Sequence, residues 1–117
     1  MPRDQRAYLV DIVESCAAIL FAVRGLNVTT YQENRLVRSS VEREFIIIGE
    51  AMAALSRSAP EMFASITHAR RIVDFRDQLT HEYPTVDSAL VWAIIVKDVS
   101  VLSQECATLL PRTGTGE

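Results

Sequence analysis

The sequence predicts an all-α fold, an antiparallel four-helix bundle with room for a fifth short helix. Apolar residues recur at steps of three and four residues in four long segments, which is the period of an amphipathic helix. No segment shows the two-residue alternation of a strand, and no internal repeat is visible. Because the links between the segments are short, neighbouring helices are expected to run antiparallel.

Length and composition predict one domain. The chain has 117 residues, of which 49% are hydrophobic, with four glycines and four prolines. This composition favours a packed core over disorder. We assign residues 1–110 to a single helical domain and residues 111–117 to a flexible C-terminal tail. No apolar run reaches the roughly 18 residues needed to cross a bilayer, and residues 1–6 show no signal-peptide pattern. We therefore expect a cytoplasmic location and no membrane partner.

The first helix is predicted over residues 4–24. Asp4 is suited to cap its start, because a carboxylate there accepts a hydrogen bond from a free backbone amide. Gly25 is suited to the left-handed conformation that ends many helices. An apolar stripe at helical spacing marks the buried side. It consists of Leu9, Ile12, Val13, Cys16, Ile19, Leu20 and Val23.

The second helical region is predicted to open with a capping box at residues 30–33, Thr-Tyr-Gln-Glu. We expect a break near residues 39–40 and then a helix from Val41 to about Arg57. Its apolar residues lie on more than one side, so it should be covered on more than one side, and a second protomer is a reasonable source of that cover. One face carries Val41, Phe45, Ile48, Met52 and Leu55, and another carries Ile46 and the small residues Gly49 and Ala53, which permit close approach of a second helix.

The rest of the chain contains a short helical turn and two further helices. Pro60 is suited to begin the turn. The third long helix is predicted from about Thr67 to Leu79, since Pro84 biases the residue before it away from helical angles. Thr85 or Asp87 can cap the last helix, which reaches about residue 110. Its stripe is Val91, Ile95, Val99, Leu102, Cys106 and Leu109.

Arg76 is placed unusually, because it falls about 40° from Ile72 on an ideal helix and so lies within the apolar arc. Burying an unpaired guanidinium is costly, so the fold must offer it an anion, either a carboxylate or a phosphate. His81 falls about 140° further round the helix. The turn at Pro84 allows the chain to bring His81 back, which would gather a cation, an imidazole and the phenol of Tyr83 at one helix end.

These residues carry a resemblance to a known family. The pattern Arg76, four residues, His81, one residue, Tyr83 resembles the signature of the HEPN superfamily in its HepT-like toxin branch. The Ile-Gly-Glu-Ala segment at residues 48–51 resembles that branch's second helix. Val-Asp at residues 86–87, followed by a helix that contains a tryptophan, also fits. The three motifs occur in the family's order, and the resemblance covers nearly the whole chain, roughly residues 4–110.

The resemblance implies a metal-independent endoribonuclease without cofactors, the toxin of a toxin-antitoxin module. Its relatives form homodimers whose motifs line one cleft and cleave RNA. By this match Arg76 and His81 are the catalytic residues and Asp77 orients the site. Tyr83 matches the tyrosine that a nucleotidyltransferase (MNT-type) antitoxin modifies with adenylate. Glu50, an acid on an otherwise apolar helix, is a weaker site-orienting candidate.

Structural interpretations of the same residues remain open at this stage. Arg76 could pair with a core carboxylate such as Glu50. His81 could cap the carbonyl groups at the end of its helix, and Tyr83 could be a half-buried packing residue. A different class of function is also compatible with the sequence, namely a non-catalytic helical dimerisation or adaptor protein that docks a nucleotidyltransferase.

A metal site is a competing idea for an enzyme, because two histidines and two acids lie close together in sequence. His68, Asp74, Asp77 and His81 do not form the usual His-Glu-x-x-His arrangement, however. We therefore predict no metal site. The two cysteines, Cys16 and Cys106, match no zinc spacing and are better explained as buried thiols than as a disulfide.

The charge balance argues against a general nucleic-acid coat protein. The formal net charge is −3, which still allows a local basic site. Lys97 is the one lysine among the twelve basic residues, and arginine forks suit phosphate geometry. Solvated helix faces paired with nearby acids are the simpler interpretation for most of them. Two groups stand out in the sequence: Arg35, Arg38 and Arg43, and Arg70, Arg71 and Arg76.

Overall fold

The computed structural model describes residues 4–81 and 86–112, and the regular structure within these ranges is entirely helical. Helix α1 spans Gln5–Ala22. The Asp4 carboxylate accepts a hydrogen bond from the Ala7 amide at 3.0 Å, and Gly25 adopts a left-handed φ of 78° just beyond the helix. Both predicted end signals of this helix are confirmed.

The break in the second helical region lies at Asn34. Helix α2 spans Val28–Glu33 and helix α3 spans Arg35–Ser58, so the predicted break near residues 39–40 is wrong. The predicted capping box is also wrong: the reciprocal bonds join Asn27 and Thr30, each at 2.9 Å. The Asn34 side chain then caps α3 by accepting a hydrogen bond from the Val37 amide at 3.1 Å. Serine costs little inside an exposed helix, so α3 continues through both serines.

Pro60 begins a short helix, as predicted. This is helix α4, Pro60–Ala64, and helix α5 follows at Ala69–His81, about two residues later at each end than expected. Before α5, the Glu105 carboxylate accepts hydrogen bonds from the Thr67 amide at 2.8 Å and the Thr67 hydroxyl at 2.6 Å. These bonds fasten the start of α5 to the end of the chain's last helix.

The last helical region contains a turn that the sequence did not predict. It consists of α6, Ser88–Ile94, a π-helical turn, Ile95–Val99, and α7, Ser100–Leu109. Asp87 caps α6, as predicted, by accepting a hydrogen bond from the Ala89 amide at 2.9 Å. A 3₁₀ turn, Leu110–Arg112, ends the described chain.

Helix α3 is central to the packing. It lies between α1 and α5, and α1 in turn packs against α7. The apolar residues on both sides of α3 are therefore covered within one chain, and this pattern does not require a second protomer. The fully buried side chains form one core: Leu9, Ile12, Cys16, Ile19, Tyr31, Val41, Ile48, Met52, Leu55, Val91, Val99 and Cys106.

Helix α5 is covered on one side and open on another. It packs along α3, where the rings of Phe45 and Phe75 meet edge to face at 5.1 Å between centroids. A cleft of about 430 Å³ separates it from α6 and the π-helical turn. The Arg71 guanidinium spans this cleft to the Asp98 carboxylate at 3.1 Å. None of the helices in the described ranges has the length and apolarity to cross a membrane.

Candidate active site at the end of helix α5

Arg76 rests on the backbone of α3 at Gly49. A β-carbon added at Gly49 would overlap the Cβ and Cγ atoms of Arg76. The glycine therefore admits the arginine stem against α3, while the side chain as a whole retains 25% of its exposure. The predicted inward position of Arg76 is thus correct for its stem, although the side chain keeps part of its exposure.

The carboxylate next to Arg76 is Asp77, not Glu50. Arg76 Nε lies 3.1 Å from Asp77 Oδ1, and the Asp77 side chain is 51% exposed. This is an ion pair without the alignment of a hydrogen bond, because the buried Nε atom has no hydrogen-bond partner. Glu50 is exposed, and no ion pair joins it to Arg76 in the described chain. The interpretation that Arg76 pairs with Glu50 in the core is therefore wrong.

His81 is the last residue of α5 and is exposed. We expected the helix to end near Thr80 and the chain to turn His81 back towards Arg76. The helix instead includes His81, and the Thr80 hydroxyl donates to the carbonyl of Arg76 at 3.2 Å and that of Asp77 at 3.1 Å. On a regular helix, His81 then stays about 140° round from Arg76 and about 7.5 Å along the axis. One protomer therefore directs the two side chains to different sides of α5.

The structure does not describe every residue that the sequence singled out. Tyr83 lies outside the described residues, as does Thr85. The competing metal site fails on geometry, because His68, Asp74, Asp77 and His81 do not converge. Across residues 4–81 and 86–111, no group of three or more His, Cys, Asp and Glu side chains could hold a metal ion.

The arginine group of α5 is not a single patch. Arg70 lies over the ring of Phe63 at 5.1 Å, Arg71 reaches Asp98, and Arg76 lies on Gly49. In the other group, Arg35 and Arg43 are exposed and Arg38 is half-buried. Sequence reasoning missed Gly49 as the support of Arg76, although a glycine inside a long helix is a signal of close backbone approach.

The two cysteines are buried and free, which confirms the prediction of buried thiols. Burial, with a smaller effect of Cys106, raises the pKa of Cys16 to about 12. Burial, with a smaller effect of Glu105, raises the pKa of Cys106 to about 12. Neither thiol is suited to be a nucleophile near neutral pH.

The fold and the motif together define a class of all-helical proteins that carry an Arg-x4-His motif at the end of a helix. In this class the stem of the arginine packs against a glycine of the neighbouring helix. The chain belongs to the Ribonuclease HepT-like family, whose profile matches residues 12–109. This confirms the resemblance to the HepT-like branch of the HEPN superfamily.

Individual relatives cover nearly the whole chain. A protein of Methanocaldococcus jannaschii named "Putative RNase" is 30% identical over 103 residues, which is 88% of this chain and 94% of the relative. A second "Putative RNase", from Caldanaerobacter subterraneus subsp. tengcongensis, is 26% identical over 94% of this chain and 97% of its own length. A "Probable ribonuclease HepT" from Thermococcus cleftensis is 28% identical over 87% and 92%, respectively. No solved structure matches the chain significantly.

Proposed function

We propose that this protein is an endoribonuclease that uses Arg76 and His81 as its catalytic residues. The observation that carries the proposal is the placement of Arg76, whose stem is seated on Gly49 and whose side chain remains 25% exposed. His81 is exposed at the end of the same helix. Membership of the HepT-like ribonuclease family and the names of the relatives support the same activity.

The proposed reaction uses the nucleophile that RNA itself carries. A base removes the proton of the 2′-hydroxyl, whose oxygen attacks the adjacent phosphorus and forms a 2′,3′-cyclic phosphate. The bond from phosphorus to the 5′-oxygen breaks, and an acid protonates that leaving oxygen. Histidine suits both proton transfers because its unperturbed pKa is near neutrality. Arg76 would stabilise the negative non-bridging oxygens of the transition state. These steps require no metal ion.

A homodimer is part of the proposal. Because α5 carries Arg76 and His81 on different sides, one chain presents them to different surroundings. Two copies related by a twofold axis would bring two such helix ends to one cleft, so that Arg76 of one copy and His81 of the other face the same phosphodiester. The two imidazoles would then serve as base and acid.

We also propose that the ribonuclease is the toxin of a toxin-antitoxin module. By the family resemblance, a nucleotidyltransferase antitoxin would neutralise it by adenylylation of Tyr83. The added phosphate would carry negative charge and acceptor oxygens two residues beyond His81. It would compete with RNA for the Arg76 guanidinium and block the cleft.

The test is RNA cleavage by the purified protein in the presence of chelator. We expect 2′,3′-cyclic phosphate ends, and a loss of activity of at least about a hundredfold in Arg76→Ala and His81→Ala. Arg70→Ala and His68→Ala are matched controls, since both are exposed residues at the other end of the same helix region. Full activity in His81→Ala with an intact helical spectrum would refute the proposal.

A second candidate is a non-catalytic adaptor that docks a nucleotidyltransferase. It is favoured by the ion pair of Arg76 with its own neighbour Asp77 and by the separation of Arg76 from His81 within one chain. It predicts stable co-purification with that partner, no RNA cleavage and no growth penalty on expression. Growth arrest that depends on His81 would exclude it.

A further inference from the structure

The cleft between α5 on one side and α6 with the π-helical turn on the other, called the α5–α6 cleft below, is open to solvent and has a volume of about 430 Å³. It exists because α5 packs along α3 and stands apart from α6. Binding sites for small groups are concave spaces of roughly 300–1,000 Å³ with an apolar lining and a few polar groups, and they often lie between the helices of a bundle. The α5–α6 cleft has the size of such a site.

Apolar side chains form much of the lining of the cleft. Phe75 comes from α5, and Leu90, Ala93 and Ile94 come from α6. Phe75 is buried, whereas Leu90 at the opposite wall keeps 45% of its exposure. Apolar surface that stays in contact with water is stabilised when an apolar group covers it. The cleft is therefore suited to a ligand with an apolar face.

Arg71 and Gln78 supply polar groups to the same cleft. Arg71 Nη2 donates to both carboxylate oxygens of Asp98 at 3.1 Å, which fixes the guanidinium across the cleft. The other two guanidinium nitrogens of Arg71 and the side-chain amide of Gln78 have no hydrogen-bond partner within the described chain. An amide both donates and accepts, and a guanidinium offers a planar face as well as donors. Such groups recognise the edge and the face of a nucleobase.

The charges of the cleft favour an uncharged ligand over an isolated phosphate. Arg71 and Asp98 neutralise each other in their ion pair. Lys97 and Asp74, which also line the cleft, are exposed and carry opposite charges. A site for a phosphate alone would carry an excess of cations. A nucleobase is uncharged near neutral pH, has apolar faces and carries donors and acceptors on its edge, so it matches this lining.

The cleft lies near His81 along one side of α5. On a regular helix His81 lies about 60° round the axis from Gln78 and about 4.5 Å further along it. Arg71 lies about 20° from Gln78 and about 10.5 Å along the axis in the other direction. Gln78 therefore stands between His81 and the Arg71 bridge. An RNA strand whose scissile phosphodiester lies at His81 can place an adjacent base in the cleft.

We infer that the α5–α6 cleft receives one of the two nucleobases that flank the scissile phosphodiester and thereby sets the base preference of cleavage. The inference rests on the proposed ribonuclease function and adds a specificity subsite to it. In this arrangement Gln78 hydrogen bonds to the edge of the base, the Arg71 guanidinium contacts its face, and the apolar lining excludes water. Gln78 and Arg71 are binding residues, not catalytic ones.

The test uses short RNAs in which a single nucleotide keeps its 2′-hydroxyl and all others carry 2′-O-methyl groups, so that the proposed reaction has one cleavage site. Two sets of four substrates vary the base on the 5′ side and the base on the 3′ side of the scissile bond. We expect the unmodified protein to prefer one base at one of these positions by at least about tenfold in kcat/KM.

Two variants of the cleft should remove this preference. Gln78→Ala deletes the contact to the base edge and should reduce the preference to less than about threefold. Ala93→Trp fills the cleft with an indole ring and should make the four bases equivalent while cyclic phosphate ends still form. Gln104→Ala and Ala107→Trp are matched controls at exposed positions of α7 and should keep the preference. Helical circular dichroism verifies that each variant is folded.

The possible failures of the two proposals are distinguishable. Cleavage by the unmodified protein without a base preference, or an unchanged preference in both cleft variants, would overturn the subsite and leave the ribonuclease proposal intact. Loss of a dimer in Ala93→Trp, measured by sedimentation, together with an unchanged preference would assign the cleft to a contact between two copies and also overturn the subsite. If the unmodified protein cleaves neither these substrates nor ordinary RNA, both proposals fail.

Discussion

The backbone of Gly49 lies against the stem of Arg76, leaving no space for a β-carbon between them. Glycine in the middle of a helix is unfavourable relative to alanine by roughly 1 kcal/mol. At this position the loss permits a close approach of α3 and α5. It also sets where the guanidinium emerges from the bundle. The same contact therefore serves packing and the candidate site.

Gly49→Ala should destabilise the protein although it raises helix propensity. The new methyl group overlaps Arg76 Cβ and Cγ, and overpacking of this kind costs about 1–3 kcal/mol. Displacement of the guanidinium should also reduce RNA cleavage. Urea denaturation measures the first effect. Ser40→Ala, an exposed substitution on the same helix, should be neutral or slightly stabilising. A stabilised Gly49→Ala variant would show that the contact is loose.

Asp77→Asn should affect activity far more than stability. The carboxylate is 51% exposed, so its ion pair with Arg76 contributes less than about 1 kcal/mol to stability. Loss of the charge leaves the guanidinium without its adjacent acid, and we expect a lower kcat in RNA cleavage. Asp74→Asn is the control, an exposed acid one turn earlier on α5. Equal kcat values for the two variants would remove Asp77 from the site.

Glu105→Ala should loosen the start of α5. The carboxylate accepts two hydrogen bonds from Thr67, and hydrogen bonds to charged groups contribute about 1.5–3 kcal/mol each. Partial exposure lowers the expected loss to about 2 kcal/mol in all. Faster hydrogen exchange of the amides around residues 67–72 would report the local effect. Gln104→Ala, at the exposed neighbouring position, should leave this exchange unchanged.

The buried thiols should make stability fall at alkaline pH. The folded-state pKa of Cys16 and Cys106 is about 12, against 9.0 when unperturbed. Between these values the folded state binds more protons than the unfolded state, so the free energy of unfolding decreases as pH rises. The stabilisation is complete below pH 9 and is progressively lost above it.

The measurement for the thiols is the urea midpoint at several pH values, from about 8, below the unperturbed pKa of 9.0, to about 10.5, between the unperturbed and the folded-state pKa values. A Cys16→Ala, Cys106→Ala double variant should be less stable at pH 8 because of the lost packing. Its midpoint should nevertheless fall less steeply with pH than that of the unmodified protein. Parallel slopes would mean that the thiols do not titrate on unfolding in this range.

Local sequence signals predicted several of the helix ends. Asp4, Gly25, Pro60 and Asp87 act within a few residues of their own position, and the structure confirms each of them. Between α2 and α3 the local pattern favoured a break near residues 39–40, whereas the break lies at Asn34. Asn34 prevails because it ends one helix and caps the next with the same side chain.

The sequence by itself determined the helical class, the apolar stripes and the position of Arg76 within an apolar arc, because periodicity is a property of the chain alone. The tertiary structure decided what Arg76 touches. It selected Gly49 and Asp77 over Glu50, and among the described residues it left the Tyr31 hydroxyl and the Arg38 Nε atom without hydrogen-bond partners. These choices depend on how far α3, α5 and α6 approach one another, and that distance follows from packing of side chains remote in sequence.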